Sequence, residues 1–378
     1  MNKIFLAWFD VWIFFAITFV GDYNFLEFPM FYMVWGAMIA YRVLTNLTVK
    51  SYEIATQMFI FALYTPALYN FFNDYGISYA NIQSYHSMFM SALYVNIFPI
   101  VYRALNNNKA LYPILSIFIA LFIASLIQGE GRTNVVFGPN VQYKIIGITF
   151  LFSAICIIKN DLKKAYIPIL YILSSYLLFK TGSRAALFII FVNTVVFYQY
   201  YLTFLRYSRV MKFMLMVAFF AALYILLPIL IENFGRVFYF SMENRSISVR
   251  FDMIINSLIF FERDVVSILF GLGAGNEIVG SYPHNLIIEA LVHHGLIFTS
   301  VLLLLGVHAL RVVYKYKYKY THFKPLVILL IPMAIGSLFS GKFNDNYSVI
   351  SLLAYVAVYS IFFAKKIPIK VVKNFSNK

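Results

Sequence analysis

Residues 111 to 128, bounded by Lys109 and Glu130, contain no charged side chain. A hydrocarbon core about 30 Å thick takes roughly 20 helical residues to cross, and inside it each backbone amide and carbonyl must find its partner within its own segment. A run of this kind therefore reads as a membrane helix. Apolar runs bounded by charge, Pro or Asn recur at 4–20, 29–47, 53–72, 86–104, 111–128 and 141–158, and again at 165–180, 185–205, 212–231, 284–310, 325–341 and 346–364. Of the 378 residues 62% are apolar and 12% charged, where a soluble domain carries roughly 25% charged residues, so no water-soluble surface can be assembled from this chain. The expected fold is an all-α polytopic integral membrane protein of about 12 transmembrane helices in a single transmembrane domain, 1–378. Its one long connection, 232–283, joins the ninth and tenth helices. The first helix is expected to be retained, because Asp10 interrupts it and no small-residue cleavage site follows Val20. Cys156, the single cysteine, allows no intrachain disulfide and reads as packing.

Lys and Arg near span ends stay preferentially in the cytoplasm. With both termini inside, 21 of the 30 basic residues fall on that side, mostly lysines. The nine left outside are Arg132, Lys144, Lys180, Arg184, Arg236, Arg245, Arg250, Arg263 and Lys342, and here arginine leads. Retention in the cytoplasm does not distinguish the two residues, but a planar guanidinium is the better bidentate clamp for phosphate or carboxylate oxygens. Long loops cross the membrane largely regardless of charge, so the four arginines of the 232–283 connection carry less weight singly than Arg132 and Arg184, which abut spans through short connections.

Four polar, Gly/Pro-containing stretches lie on the outer side: Gly131 to Asn140 (GRTNVVFGPN), Thr181 to Ala185 (TGSRA), Arg250 to Gly275, and Pro283 to Gly295 (PHNLIIEALVHHG). This ordered set resembles the bacterial O-antigen ligases and O-antigen or capsule polymerases. Arg132 with Phe137, Gly138, Pro139 and Asn140 matches the family's Arg and Phe-Gly-Asn-Pro-Asn-like turn, with Gly138 where Asn is usual. Ser183 and Arg184 match the Ser-Arg that opens the eighth helix. His284, Asn285 and, nine residues further on, Gly295 match the start of the tenth, with Phe298 where Gly, Thr or Tyr is more usual. Ser248 to Gly275 is similar to the family's amphipathic outer helix and Gly-rich return, and the likeness covers roughly residues 130 to 345. It implies a GT-C-like fold in the bacterial inner membrane and glycan transfer at the periplasmic face. The donor would be an undecaprenyl-diphosphate-linked glycan and the acceptor a hydroxyl, with no metal and no nucleotide sugar. Ligases use the lipid A core as acceptor, polymerases another carrier-linked repeat unit. The implied partners are the lipid-linked donor and acceptor, membrane lipids and a chain-length regulator protein, with no nucleic acid.

The residues support that chemistry. A lipid diphosphate presents about two to three negative charges at headgroup depth, and charge-assisted hydrogen bonds of about 1.5–3 kcal/mol each can hold it and stabilise it as it departs. Arg184 and Arg250 are the first choices for this role, with Arg132, Asn140 and Arg245 as further substrate contacts. An acceptor hydroxyl benefits from a general base, and His284, beside Asn285 as orienter, is the candidate. Glu289, His293 and His294 lie deeper on the same helix, where they read equally as functional groups or as neutral hydrogen-bonded helix contacts. Asp345 is a further carboxylate that could act as base or sugar ligand. From 250 to 262 an amphipathic helix is expected, with Phe251, Ile254, Ile255, Leu258 and Phe261 on one side and Arg250, Asp252, Asn256 and Ser257 on the other. It would cover the donor headgroup or plug the bundle. Gly271, Gly273, Gly275 and Gly280 read as a mobile return loop. Polymerase is preferred over ligase because the motifs are degenerate. A transporter or flippase of polysaccharide precursors is the reading from a different class.

Overall fold

The structure is a computed structural model that describes residues 2–20, 28–65, 79–127, 139–162, 166–183, 185–198, 245–257, 264–271, 285–315, 323–339 and 346–364, with isolated positions 208, 210, 211, 213, 214, 217, 231 and 262. Among the described residues the secondary structure is helical throughout. The elements are α1 (Lys3–Val20), α2 (Phe28–Leu44), α3 (Ser51–Leu63), α4 (Tyr79–Tyr94), α5 (Ile97–Leu105), α6 (Leu111–Ile127), α7 (Pro139–Lys159) and α8 (Tyr166–Lys180). They continue with α9 (Ala185–Val196), α10 (Arg245–Ser257), α11 (Val265–Phe270), α12 (Leu286–Lys315), α13 (Phe323–Phe339) and α14 (Tyr347–Ala364). Helices or helix pairs accompany the expected runs except 212–231, which falls almost entirely outside the described residues. The run 86–104 lies on a helix that starts at Tyr79, and a turn at Val95–Asn96 divides it into α4 and α5.

Four stretches, His86–Leu105, Asn108–Leu126, Val141–Lys159 and Leu286–Val312, are long and apolar enough to cross a membrane. Outward faces, on these and on shorter apolar helices, are apolar too. Ile119, Ile123 and Leu126 on α6, Ile169 and Ile172 on α8, and Leu303, Val307 and Leu310 on α12 are exposed at helical spacing. Water would oppose such stripes and lipid accepts them, which makes this a helical membrane protein.

Two ends of the bundle are knitted differently. At one end Arg42, fully buried on α2, donates to Glu53 Oε2 of α3 at 2.7 Å, to Asn96 Oδ1 at 3.0 Å and to the Thr48 carbonyl at 2.9 Å. Asn96 occupies the turn between α4 and α5, so that interruption supplies the acceptor that Arg42 needs. Arg103 of α5 grips Asp10 of α1 bidentately, at 2.8 and 2.6 Å, while Tyr41 Oη donates to the same carboxylate at 2.7 Å. Lys159 lies over the Tyr102 ring at 4.4 Å. Arg42 and Arg103 thus do more than orient the chain: both are saturated structural clamps.

At the opposite end Tyr347 Oη donates to the carbonyls of Ile17 and Thr18, joining the start of α14 to the end of α1. α7 is a packing hub, set against α6, α8, α9 and α13. Its polar residues keep their hydroxyls on the helix itself: Thr149 donates to the Ile145 carbonyl and Ser153 to that of Thr149.

Candidate functional site

α12 begins on a side-chain cap. Asn285 Oδ1 accepts from the amides of Ile287 at 3.0 Å and Ile288 at 3.2 Å, satisfying two of the donors that a helix start leaves open. Its Nδ2 donates to the Leu338 carbonyl at 3.2 Å, fastening this start to the end of α13. The expected orienter is therefore first of all the residue that fixes where α12 starts.

The helix then breaks at Gly295, which has φ 78° and ψ −177°. That conformation is open essentially only to glycine, and so is the space: a Cβ there would run into the carbonyl of Leu269 and the amide of Gly271. Gly271 ends α11 with φ 85°, and a Cβ on it would meet the His293 carbonyl and, at 2.6 Å, the His294 amide. The two glycines bring α11 and the break into backbone contact, so the end of α11 is docked into α12. For Gly271 this replaces the expectation of a mobile return with a buried, packed position. Gly273, Gly275 and Gly280 lie outside the described residues.

The half-helix that leads into the break carries buried polar groups. Glu289 is 1% exposed, His293 8% and His294 0%. Glu289 and His293, four residues apart, share one face of the upper half-helix. The His294 ring meets Tyr64 of α3 edge-on at 5.4 Å between centroids and lies 4.6 Å from Phe298, which itself packs on Tyr64 at 5.1 Å. Phe298, unusual for the resembled family, closes this aromatic floor. Thr299 donates to the Gly295 carbonyl at 2.9 Å, tying the break to the helical turn that follows it.

A second group of candidate residues surrounds the start of α7, the start of α9 and the end of α13. At Gly147 the three helices touch: a Cβ there would stand 2.6 Å from Ile189 Cγ2 and 3.1 Å from the Pro332 ring. One turn further out are Tyr143 and Lys144 on α7, Ala185 opening α9 and Gly336 on α13. Lys144 is 2% exposed. Before Ala185 the chain turns at Gly182 (φ 62°), and the Thr181 hydroxyl accepts from the Ser183 amide at 3.3 Å. Ser183 and Ala185, the neighbours of Arg184, are both buried.

Arg132, Arg184, His284 and Asp345 lie outside the described residues. Asn140, in the first turn of α7, and Arg245 and Arg250 on α10 are described as helix positions and not as side chains. α10 starts at Arg245, so Arg250 stands inside the helix where the sequence pattern made it the opening residue. Phe251 and Ile255 on α10 are half exposed, while Ile254 is partly covered. α10 packs on α12, the helix that α11 also contacts. Among the described residues no three His, Cys, Asp or Glu side chains are grouped to hold a metal ion.

α11 carries its own cap: Asp264 accepts from the Ser267 amide at 3.0 Å and from its hydroxyl at 2.7 Å. These bonds, the hydroxyl's first, hold the Asp264 carboxyl below the ordinary carboxylate range. A depressed folded value means that the cap contributes above the ordinary range and is lost as pH falls through the folded value. Acidification is expected to lower the protection of the Ser267 amide against exchange, measured relative to its intrinsic rate at each pH, whereas the Asp264→Asn variant should show no such acid step.

No family model, curated protein or solved structure matches the chain. What the fold and the site define is a class: a helical membrane protein in which, among the described residues, a helix broken at Gly295 carries buried polar groups just before the break and receives the short helix α11 against it.

Proposed function

We propose that this chain is a glycosyltransferase that polymerises oligosaccharide repeat units carried on undecaprenyl diphosphate. In this reading it is a protein of about twelve spans and GT-C-like arrangement in the bacterial inner membrane, working at the periplasmic face. The observation that carries the reading is the Gly295 break. The His-Asn, nine-residue interval and Gly of the resembled ligases and polymerases coincide here with a capping Asn285, a half-helix and a glycine that only glycine can replace. That geometry has a function in the proposal: it ends the half-helix beneath His284 and gives the outer connection a seat above it.

In the proposed step the acceptor hydroxyl of one repeat unit attacks the anomeric carbon of the donor glycan. The new C–O bond forms as the bond to the carrier diphosphate breaks, the hydroxyl proton passes to His284, and undecaprenyl diphosphate leaves as a weak base. Arg184 and Arg250 hold the diphosphate; Arg132, Asn140, Arg245, Glu289 and Asp345 serve substrate. The ligase alternative differs only in its acceptor, a lipid A core.

The test is reconstitution of the purified protein with a defined undecaprenyl-diphosphate-linked repeat unit. Chain growth from that substrate alone is expected, and an absolute requirement for a lipid A core would replace polymerase by ligase. His284→Ala should lower the turnover number by roughly 10²–10⁴-fold, the contribution of a positioned general base. Arg184→Lys keeps the charge and loses the fork, and full activity in that variant would remove the bidentate role from Arg184. A broken helix with polar groups at depth is also the hallmark of many transporters. Movement of the intact lipid-linked unit across proteoliposomes, with no polymer formed, would put the chain in that class.

A further inference from the structure

At the end of the bundle that carries Arg42 and Arg103, a cavity of about 240 Å³ opens among α3, α5, α13 and α14. It exceeds the roughly 150 Å³ that admits a benzene molecule when the walls are apolar. Its floor is buried and aromatic, with Phe98 from α5 and Tyr355 and Tyr359 from α14. Phe98 and Tyr355 lie 4.8 Å apart between ring centres, and Tyr52 meets Tyr355 and Tyr359 edge-on at 5.7 and 4.9 Å. The mouth is where the lining is partly exposed, at Leu47, Tyr52 and Tyr102. Both arginine clamps fix this rim: Arg42 donates to the Leu47 carbonyl at 3.3 Å and Arg103 to that of Thr45 at 3.2 Å. Arg103 also lines the cavity, but Asp10 neutralises it. The charge left at the mouth is that of Lys159, exposed at the end of α7, whose ammonium stands 4.4 Å from the centre of the Tyr102 ring. Among the described residues the ion pairs are Arg42–Glu53 and Arg103–Asp10, so Lys159 faces a ring and no carboxylate.

We infer that this cavity binds an anionic phospholipid of the surrounding membrane, with one acyl chain among the aromatic rings and the phosphate beside Lys159. The site is separate from the proposed transferase site and does not depend on it. Its parts are divided as those of an amphiphile are: buried rings inside and one cation at the opening, at the interfacial depth that tyrosines and basic residues mark. An apolar cavity of this size offers water few partners and accepts hydrocarbon. A zwitterionic lipid brings its own cation towards Lys159, whereas an anionic headgroup meets it unopposed. A soluble anion has no part that fits the floor. The seated chain touches α3 and α5 on one side and α13 and α14 on the other, so the lipid braces early helices of the chain against late ones.

The test is binding of phosphatidylglycerol, phosphatidylcholine and glycerol 3-phosphate to the purified full chain, read by native mass spectrometry, for wild type, Lys159→Gln, Leu47→Trp and Lys109→Gln. Lys109 is the control for diffuse attraction to a basic surface: it lies at the same end, over the ring of Tyr112, which is not part of the cavity. Wild type is expected to prefer phosphatidylglycerol over phosphatidylcholine and to leave glycerol 3-phosphate unbound. Lys159→Gln should lower phosphatidylglycerol affinity roughly fivefold, the scale of one basic residue at an anionic lipid surface, with phosphatidylcholine unchanged. Leu47→Trp sets an indole across the mouth and should weaken both lipids, while Lys109→Gln should weaken neither. Equal losses in Lys159→Gln and Lys109→Gln overturn the site in favour of a diffuse surface. Undiminished binding of both lipids in Leu47→Trp removes the acyl chain from the cavity and overturns it as well. Glycerol 3-phosphate that binds as tightly as the lipid makes the occupant a soluble anion and overturns the lipid assignment. If Leu47→Trp does not elute as a monodisperse species, the comparison of Lys159→Gln with Lys109→Gln decides alone.

Discussion

Gly295→Ala is expected to abolish the proposed glycan transfer while the protein still inserts in the membrane. Two costs add. The backbone at φ 78° and ψ −177° belongs to a region that costs a non-glycine residue about 1–3 kcal/mol, and the new methyl would also occupy the space of the Leu269 carbonyl and the Gly271 amide. The helix can relieve the first only by straightening, and straightening carries His293 and His294 away from α11. Gly271→Ala should act in the same direction from the other side, since its methyl would meet the His293 carbonyl. The measurement is protease access to the 264–271 segment in nanodiscs, alongside turnover. Undiminished activity together with unchanged protection in Gly295→Ala would show that neither the break nor the docked α11 matters.

The second large effect lies at the far end of the bundle and concerns stability. Removing one partner of a buried ion pair leaves an uncompensated charge, at about 3–5 kcal/mol. Arg42 and Glu53 are 0% and 1% exposed and 2.7 Å apart. Glu53→Ala should lower the thermal midpoint in detergent strongly. Arg42→Leu combined with Glu53→Leu should cost less than the sum of the two single changes, because no lone charge is then left inside. Additive losses would mean that the pair is not coupled and that the bonds of Arg42 to Asn96 and Thr48 dominate.

The helical class was legible in the uncharged runs, and most helix starts and ends agree with the charges that bound them. The division at Val95–Asn96 was not, because nothing apolar changes there: the helix gives way so that Asn96 can face Arg42, a residue 54 positions away. Likewise the spacing of Asn285 and Gly295 was visible as a pattern, but the docking of α11 depends on two glycines meeting across separate segments. Lys144 could be counted as an outer charge and no more. Its burial depends on Gly336, where a Cβ would stand 2.7 Å from Lys144 Cε, and a glycine in an apolar run does not announce what lies against it. Arg42 and Arg103 entered as orientation signals, although their saturated hydrogen bonds make them braces, since a charge tally carries no information about acceptors.

The bond from Tyr347 to the Ile17 carbonyl spans 330 positions of chain. At a synthesis rate of about 5–20 residues per second, roughly 15 to 65 seconds separate the emergence of its two ends from the ribosome. The ion pairs among α1, α2, α3 and α5 can close well before then. The faces of α1, α3 and α4 that receive α14 must wait, held by lipid or by the insertion machinery. Biogenesis of this protein therefore has a late step, the seating of α14, on which a stalled or shortened nascent chain would founder with its amino-terminal helices already paired.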